Sequence, residues 1–118
     1  MRLTLLACAL APLVATPLGA QDAAPTTRTF TVVAKDGRFE PERIDVTRND
    51  LVRITLTAAE APASFAIDAY RLMKRAGAGE SVTFAFRADQ VGRFAYYCSL
   101  SSNDQCRTMK GTLVVAER

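Results

Sequence analysis

The sequence predicts an all-β protein, a Greek-key β-sandwich of about seven short strands. Three observations support this prediction. Apolar and polar residues alternate, or form short apolar runs, from Thr29 almost to the end of the 118-residue chain, and this pattern is typical of strands. Turn-forming residues recur at short intervals between the runs. Internal repeats and low-complexity runs are absent from the sequence, so we expect one domain built from two packed antiparallel sheets.

Seven segments are predicted as strands: Thr29–Lys35, Arg43–Thr47, Leu51–Ala58, Ala63–Asp68, Ser81–Arg87, Arg93–Cys98 and Met109–Ala116. Turn residues separate them. Asp36 and Gly37 end the first strand, and Arg48-Asn49-Asp50 joins the second to the third. Because Pro41 restricts Glu40 to extended backbone, residues 38–41 are expected to be extended as well.

The alternation is clearest in the third, fifth and sixth predicted strands. In Leu51–Ala58, for example, three apolar side chains share one face opposite Arg53 and Thr55, which gives the strand an inside and an outside. The inward sets are Val52, Ile54 and Leu56, then Val82, Phe84 and Phe86, and then Phe94, Tyr96 and Cys98. Residues 69–79 are of uncertain type, because Tyr70, Met73 and Lys74 could share a helical turn that the following glycines end.

Residues 1–20 have the features of a signal peptide. Arg2 provides a positive charge, an apolar run extends from Leu3 to Ala15, and small residues before Gln21 form an acceptable cleavage site. Prolines interrupt the apolar segment, which is shorter than the ~20 residues that a membrane-spanning helix needs. Lipid attachment at Cys8 is the alternative, although very few apolar residues precede that cysteine.

Removal of this segment would leave an exported domain, either secreted or periplasmic. Residues 21–28 are polar, small and contain a proline, so we expect a flexible lead-in there and a folded domain over residues 29–116. Without Arg2, 14 basic residues face 12 acidic ones, a net charge of only +2. That excess is too small to indicate binding to nucleic acid or to a membrane. We expect no integral membrane segment after signal removal.

The residues that carry chemistry are concentrated near the C-terminus. Cys98, Cys106 and Met109 are the one concentrated group of sulfur atoms, and the chain contains no histidine. The commonest general base and the commonest transition-metal ligand are therefore missing. The serines after Cys98 have no imidazole to activate them, which argues against hydrolysis. The spacing of the cysteines also differs from the Cys-x-x-Cys of thiol redox enzymes, so we expect no enzyme.

The order of the motifs distinguishes between sandwich families. An immunoglobulin domain would have a central tryptophan and one early cysteine, whereas this chain has no tryptophan and its last two cysteines lie late. The chain instead resembles the cupredoxins, the family of plastocyanin, azurin and the soluble domain of cytochrome c oxidase subunit II. The motifs are Phe39-x-Pro-x-x-Ile44-x-Val46, Asn49-Asp50-x-Val52, Ser64-Phe65-x-Ile67, Gly92-x-Phe94-x-Tyr-Tyr-Cys98-Ser99 and Met109-x-Gly111-Thr-Leu-Val-Val. The resemblance covers Thr29 to Val115.

The resemblance implies a copper loop, and this chain departs from it. In the binuclear copper site of the oxidase the loop reads Cys-x3-Cys-x3-His-x2-Met, and those positions are Cys98, Ser102, Cys106 and Met109 here. The family's remaining histidine falls on Ala63. The copper site is thus degenerate and lacks histidine. An ordinary type 1 or binuclear electron-transfer centre is not expected, because both imidazoles and the bridging thiolate are missing.

The resemblance leaves two interpretations of the sulfur atoms. Since cupredoxin ligands at the positions of Cys98 and Cys106 converge on one metal, the two thiols are expected to form a structural disulfide after export, with no cofactor bound. The alternative is a Cu(I) site in which the thioether of Met109 joins both thiolates, since soft sulfur ligands suit Cu(I). Zinc is disfavoured, because Asp104 would have to supplement only two strong ligands.

Basic residues recur in the segments that flank the ligand end of a cupredoxin. Lys74, Arg75, Arg107 and Lys110 are the principal ones, and they predict a basic patch that binds an unknown acidic protein partner. Scattered surface charge is the alternative interpretation. The function expected from the sequence is that of an exported binding or accessory protein with a remodelled copper loop, and Cu(I) handling is the alternative.

Overall fold

The computed structural model describes residues 24–101 and 104–118. These residues contain nine β-strands in two sheets. In chain order they are β1 (Thr27–Lys35), β2 (Arg38–Glu40), β3 (Arg43–Thr47), β4 (Leu51–Ala58), β5 (Ala63–Ile67), β6 (Leu72–Ala76), β7 (Ser81–Arg87), β8 (Gly92–Tyr97) and β9 (Lys110–Ala116). Two 3₁₀ turns lie at Asp68–Tyr70 and Asp104–Thr108. The predicted all-β sandwich is confirmed. The expected signal peptide, residues 1–20, lies outside the described residues.

The strand order is β2-β1-β4-β7 in one sheet and β3-β9-β8-β5-β6 in the other. Two pairs, β1 with β4 and β3 with β9, run parallel. The expectation of purely antiparallel sheets is therefore wrong for these pairs. Between β1 and β4 the chain crosses to the other sheet as β3 and returns, so no tight hairpin forces opposite directions. Alternation of apolar residues carries no information on strand direction, and this explains why the sequence did not predict it.

Two strands, β2 and β6, add to the seven that the sequence predicted. The extended residues after Gly37 pair with β1, and Phe39 is fully buried. The ambiguous segment after β5 forms only a short 3₁₀ turn, which ends at Arg71 in the left-handed region (φ 52°). β6 then runs antiparallel to β5 as an edge strand. Met73 in β6 is 58% exposed, so it does not pack in the core.

The first strand, β1, begins two residues before the strand predicted from the sequence. Thr27 and Arg28 already pair with Leu51 and Val52 at the beginning of β4, so β1 includes the last two residues of the predicted lead-in. Within the described ranges, no helix is long and apolar enough to cross a membrane.

An aromatic cluster fills the space between the sheets. Phe65 stacks on Tyr96 with ring centroids 4.7 Å apart, and Phe39 packs edge-on against both rings at 5.8 and 5.5 Å. The Tyr96 hydroxyl donates to the Pro41 carbonyl over 2.7 Å. A Cβ at Gly111 would overlap the Tyr96 ring, so this close approach requires glycine. Burying each of these large side chains contributes about 1.5–3 kcal/mol to the stability of the core.

A buried carboxylate holds the opposite end of the sandwich from the cysteine loop. Asp50, only 1% exposed, accepts backbone N–H bonds from Thr47 at 2.9 Å and Thr26 at 3.2 Å. The Arg118 guanidinium donates to the same carboxylate, and Arg28 lies 3.8 Å from it. Burial alone would raise the pKa of Asp50, but the hydrogen bonds from Thr47, Thr26 and Arg118 outweigh it and lower the pKa. Asp50 therefore links Thr26, just before the first strand, to Arg118, just after the last strand.

Candidate functional site

The loop between β8 and β9 lies at the end of the sandwich where β1 ends and β5 begins. The Cys98 N–H donates to the Met109 carbonyl over 3.1 Å and closes the base of the loop. The 3₁₀ turn Asp104–Thr108 returns the chain toward β9, and the Thr108 hydroxyl donates to the Gly37 carbonyl after β1 over 3.3 Å. These contacts place the loop over the end of both sheets.

Cys98 and Cys106 form a disulfide with a Cα–Cα distance of 5.1 Å. Both half-cystines are buried, Cys98 at 7% exposure and Cys106 at 1%. Cys98 directly follows the last residue of β8, and Cys106 is the buried residue of the 3₁₀ turn. By loop entropy, a bond that closes a loop of this length stabilises the fold by about 2.5 kcal/mol. The pairing that the sequence analysis expected is present.

Ser64 contributes to the site, although the sequence analysis did not select it. Its backbone N–H lies 3.3 Å from Cys98 Sγ and its hydroxyl lies 3.7 Å from the same atom. The hydroxyl accepts the Ser99 N–H over 2.7 Å and pairs with the Ser99 hydroxyl at 2.9 Å. Ser64 is fully buried. A polar residue in an otherwise apolar strand, next to the family's histidine position, was the signal that could have identified it.

The second sulfur also accepts a backbone hydrogen bond. The Leu100 N–H donates to Cys106 Sγ over 3.2 Å. The Met109 N–H donates to the Cys106 carbonyl over 3.2 Å, and the Met109 side chain is buried beside the turn. Each sulfur of the disulfide therefore receives a backbone N–H, from β5 in one case and from the loop itself in the other.

Ala63 and Met109 border one small open cavity. Its volume is about 10 Å³, and Gly37 and Gln105 also line it. This is room for about one water molecule. Four positions of the family's copper site, namely Ala63, Cys98, Cys106 and Met109, thus lie at one end of the sandwich. Ser102, the remaining position, is outside the described residues.

The residues at this end do not fit the copper centres of the fold. Ala63 offers no donor atom, and the disulfide occupies the sulfur atoms of Cys98 and Cys106. Met109 remains as a single thioether, which is a weak ligand by itself. Asp104 is exposed on the 3₁₀ turn, and the described part of the chain holds no group of three or more His, Cys, Asp or Glu residues arranged for a metal ion.

The four basic residues of the predicted patch lie on three elements, namely β6, the 3₁₀ turn Asp104–Thr108 and β9. Strand alternation places Lys74 and Arg75 on opposite sides of β6. Lys110 begins β9 and Arg107 lies on the exposed 3₁₀ turn. By register, Arg75 and Lys110 face outward from the same five-stranded sheet.

Comparison with known proteins agrees with the motifs and the fold. A family model described as the cupredoxin-like domain matches residues 5–115. No curated protein matches the chain. The metal-binding domain of the Cu(I)-exporting P-type ATPase of Streptococcus pneumoniae D39, solved with Cu(I), superposes with a TM-score of 0.64 at 18% identity, over 77% of this chain and 87% of that one.

Two further solved structures illustrate the range of copper proteins that share this fold. Auracyanin A, a "blue" copper protein from Chloroflexus aurantiacus, has a TM-score of 0.64 at 17% identity, over 75% of this chain and 98% of that one. Copper nitrite reductase from Nitrosomonas europaea has a TM-score of 0.64 at 23% identity, over 78% of this chain and 42% of that one. Such low identities show the fold alone. The family match and the shared fold confirm the resemblance seen in the motifs: the chain belongs to the cupredoxin-like domain family.

Proposed function

We propose that this protein is an exported accessory domain that binds a partner through its surface, and that the Cys98–Cys106 disulfide replaces copper as the cross-link of the loop. One observation carries the proposal. At the two loop positions where a copper centre needs a thiolate and an imidazole, this chain has cysteines joined to each other. The side chain of Ala63 cannot supply the other imidazole. The fold is retained while its electron-transfer ligands are lost.

The energetics support a structural role for the disulfide. A domain of fewer than 100 residues has a modest core, so one covalent cross-link is a large part of its net stability. The disulfide is buried, and N–H groups from Ser64 and Leu100 lie against its sulfur atoms. Disulfides persist in oxidising compartments, which agrees with the signal-peptide features of residues 1–20 and with a secreted or periplasmic location.

The proposed role is not enzymatic. Without histidine, the hydroxyl groups of Ser64 and Ser99 bond to each other and to backbone rather than to a general base. Both cysteines are buried, which restricts attack on the disulfide by an external thiol. The binding role is therefore supported by two facts together: the chain keeps the cupredoxin-like fold, and it lacks the copper ligands that make this fold an electron-transfer protein.

Native mass spectrometry tests the proposal. The oxidised protein is incubated separately with Cu(I) under anaerobic conditions and with Cu(II), then desalted. We expect the metal-free mass in both cases. A stoichiometric copper adduct on the oxidised protein would contradict the proposal, and the Met109→Leu variant would then show whether the thioether is a ligand.

A second candidate function, Cu(I) binding by the reduced chain, is favoured by one feature of the site. Backbone N–H groups lie near both sulfur atoms, as outer hydrogen bonds do around thiolate ligands, and the Met109 thioether is buried at the same end. A phosphine reductant would supply two electrons, and with two protons from water the disulfide would become two thiols.

The reduced protein provides the test of this candidate. One Cu(I) per chain that is lost in Cys106→Ser and weakened in Met109→Leu would support it. Failure of the reduced protein to retain Cu(I) would exclude it.

A further inference from the structure

The two outer faces of the sandwich differ in chemistry. The four-stranded sheet presents hydroxyl groups, which include Thr29, Thr31, Thr55, Thr57, Ser81 and Thr83. Pairs of them bond across strands, Thr55 with Thr83 at 2.9 Å and Thr57 with Ser81 at 2.8 Å. The outer face of the five-stranded sheet carries small or apolar side chains at Ala66, Met73, Ala95, Tyr97, Thr112 and Val114, and charged side chains at Arg43, Asp45, Arg75, Arg93 and Lys110. The four-stranded face is therefore lined with hydroxyl groups, whereas the five-stranded face combines apolar and charged side chains.

A single cross-strand row defines the apolar face. Met73 pairs with Ala66, Ala66 with Tyr97, and Tyr97 with Lys110. Four neighbouring strands are involved, so the row is about 14 Å long. Met73 is 58% exposed, whereas Ala66 is 3% exposed although it points away from the core cluster. The larger side chains on either side therefore cover the alanine, and the methionine protrudes.

The Tyr97 ring is held in place at its hydroxyl. It donates to Asp68 Oδ1 over 2.7 Å. This bond raises the pKa of Tyr97 and keeps the hydroxyl protonated. The ring is partly exposed, and Ala66 on β5 separates it from Met73 on β6.

Cations without partners flank the row. Arg75 lies two residues beyond Met73 on the same side of β6, and Lys110 ends the row on β9. Neither forms an ion pair with a carboxylate of residues 24–101 or 104–118. On the same face, by contrast, Arg43 forms an ion pair with Asp45 at 3.0 Å. The apolar row therefore lies between two cations that are available to an external anion.

We propose that this surface, the Met73–Lys110 face, docks an acidic segment of a protein partner. An apolar side chain of the partner would cover Met73 and Tyr97, and carboxylates on either side would reach Arg75 and Lys110. The inference rests on the proposed binding function and names its partner class. Lys74 and Arg107, the other members of the predicted basic patch, do not belong to this face.

The charge pattern favours a protein segment over other occupants. Recognition of an anionic membrane takes about four to eight lysines and arginines in one cluster. This face offers three that form no ion pair with a carboxylate of residues 24–101 or 104–118, namely Arg75, Arg93 and Lys110. A second copy of the chain would bring like charges together, which is unfavourable at an interface. An acidic segment with one apolar residue complements both the row and its flanking cations.

An NMR titration of the ¹⁵N-labelled oxidised protein tests the proposal, with a short synthetic peptide of glutamates around one central leucine as the probe. We expect shifts of the Ala66, Met73, Tyr97 and Lys110 amides and none at Thr31 or Thr55. Added salt should weaken binding because it screens the charges. The double variant Arg75→Glu/Lys110→Glu should lower the affinity about tenfold, and a peptide with glycine in place of leucine should also bind more weakly.

Lys74→Glu is the matched control, since it reverses an adjacent charge on the other side of β6. It should change the affinity by less than about twofold. An equal effect of Lys74→Glu, shifts spread over the threonine face, or no shifts at all would overturn the proposal. So would shifts that grow with protein concentration alone, which indicate a second copy, or shifts with phosphatidylglycerol vesicles in place of the peptide.

Failure of this inference is distinguishable from failure of the proposed function. A mass spectrum of the same NMR sample reports the disulfide and any bound metal independently of the peptide. If the protein has the disulfide and no metal but does not bind the peptide, only the proposal for the Met73–Lys110 face is contradicted, and the proposed function is not.

Discussion

The backbone N–H of Ser64 lies 3.3 Å from Cys98 Sγ, although 34 residues separate the two in the chain. This contact couples the start of β5 to the disulfide that closes the loop after β8. The Ser64 hydroxyl then accepts the N–H of Ser99, the residue that follows Cys98. The loop is thus held both by the disulfide and by hydrogen bonds to the buried Ser64.

Removal of the disulfide should destabilise the domain by about 2.5 kcal/mol in the Cys98→Ser/Cys106→Ser variant, because the unfolded chain regains the entropy of the open loop. Urea unfolding measures the change in free energy. Reduction of the wild-type protein is the control and should give a similar loss, whereas the reductant should leave the double variant unchanged. A double variant as stable as the oxidised wild type would show that the disulfide is not a structural cross-link.

Loss of the Ser64 hydroxyl should destabilise the domain by about 1 kcal/mol, because Ser64→Ala removes the acceptor of the part-buried Ser99 N–H hydrogen bond. Thermal unfolding measures the effect. Ser99→Ala is the matched control, since it removes only the hydroxyl–hydroxyl bond and should cost less. Equal losses in the two variants would contradict the role given to Ser64 in holding the loop.

The buried Asp50 should make stability fall in acid. Its hydrogen bonds lower its pKa in the folded protein, so its contribution is fully present above the unfolded pKa near 4 and is lost as pH falls through the folded pKa. Asp50→Asn should cost about 3 kcal/mol at neutral pH, because it leaves buried donors and a cation poorly paired.

Urea unfolding at a series of pH values tests this prediction, and the acid limb should be flatter in Asp50→Asn. Asp45→Asn is the control, because Asp45 also has a lowered pKa, caused first by its hydrogen bond from Arg43, but is exposed. Its unfolding free energy should change little. An unchanged acid limb in Asp50→Asn would contradict the assignment.

Restoring two imidazoles should restore copper binding. In the Ala63→His/Cys106→His variant, the new side chains would join Cys98 and Met109 at the end of the sandwich where all four positions lie. Two imidazoles, one thiolate and a thioether are the ligands of a blue copper centre, so we expect an intense blue Cu(II) form. Absorption spectroscopy measures it. Ala63→His alone, with the disulfide intact, should stay colourless, and a folded but colourless double variant would contradict the shared location of the four positions.

The sequence predicted the sandwich well because burial repeats every second residue in most strands. The inward faces expected for Val52, Ile54 and Leu56 are fully buried. It predicted strand directions less well, since β1 and β4 meet only after the chain has crossed between sheets. β6 was ambiguous because an edge strand has few apolar contacts to mark its period. Met73 is an apolar residue of a type common in protein cores, but it is exposed to solvent at that edge.

The site was partly predictable for a similar reason. The spacing of Cys98, Cys106 and Met109 identified the loop, because the family's motifs carry those positions in order. The contribution of Ser64 depends on a contact between β5 and the end of β8, which no local pattern encodes. The same holds for the row that joins Met73 to Lys110, since it exists only through the register of four strands.

The redox state of the two cysteines in the exported protein tests the central claim most directly. Trypsin cleaves after Arg93 and Arg107, so residues 94–107 form one peptide that carries both cysteines. The protein is alkylated before digestion without reductant, and the peptide mass is measured. We predict an unalkylated peptide that is two hydrogen atoms lighter than the dithiol form. A peptide alkylated at both Cys98 and Cys106 would contradict the claim that a disulfide has replaced the copper centre.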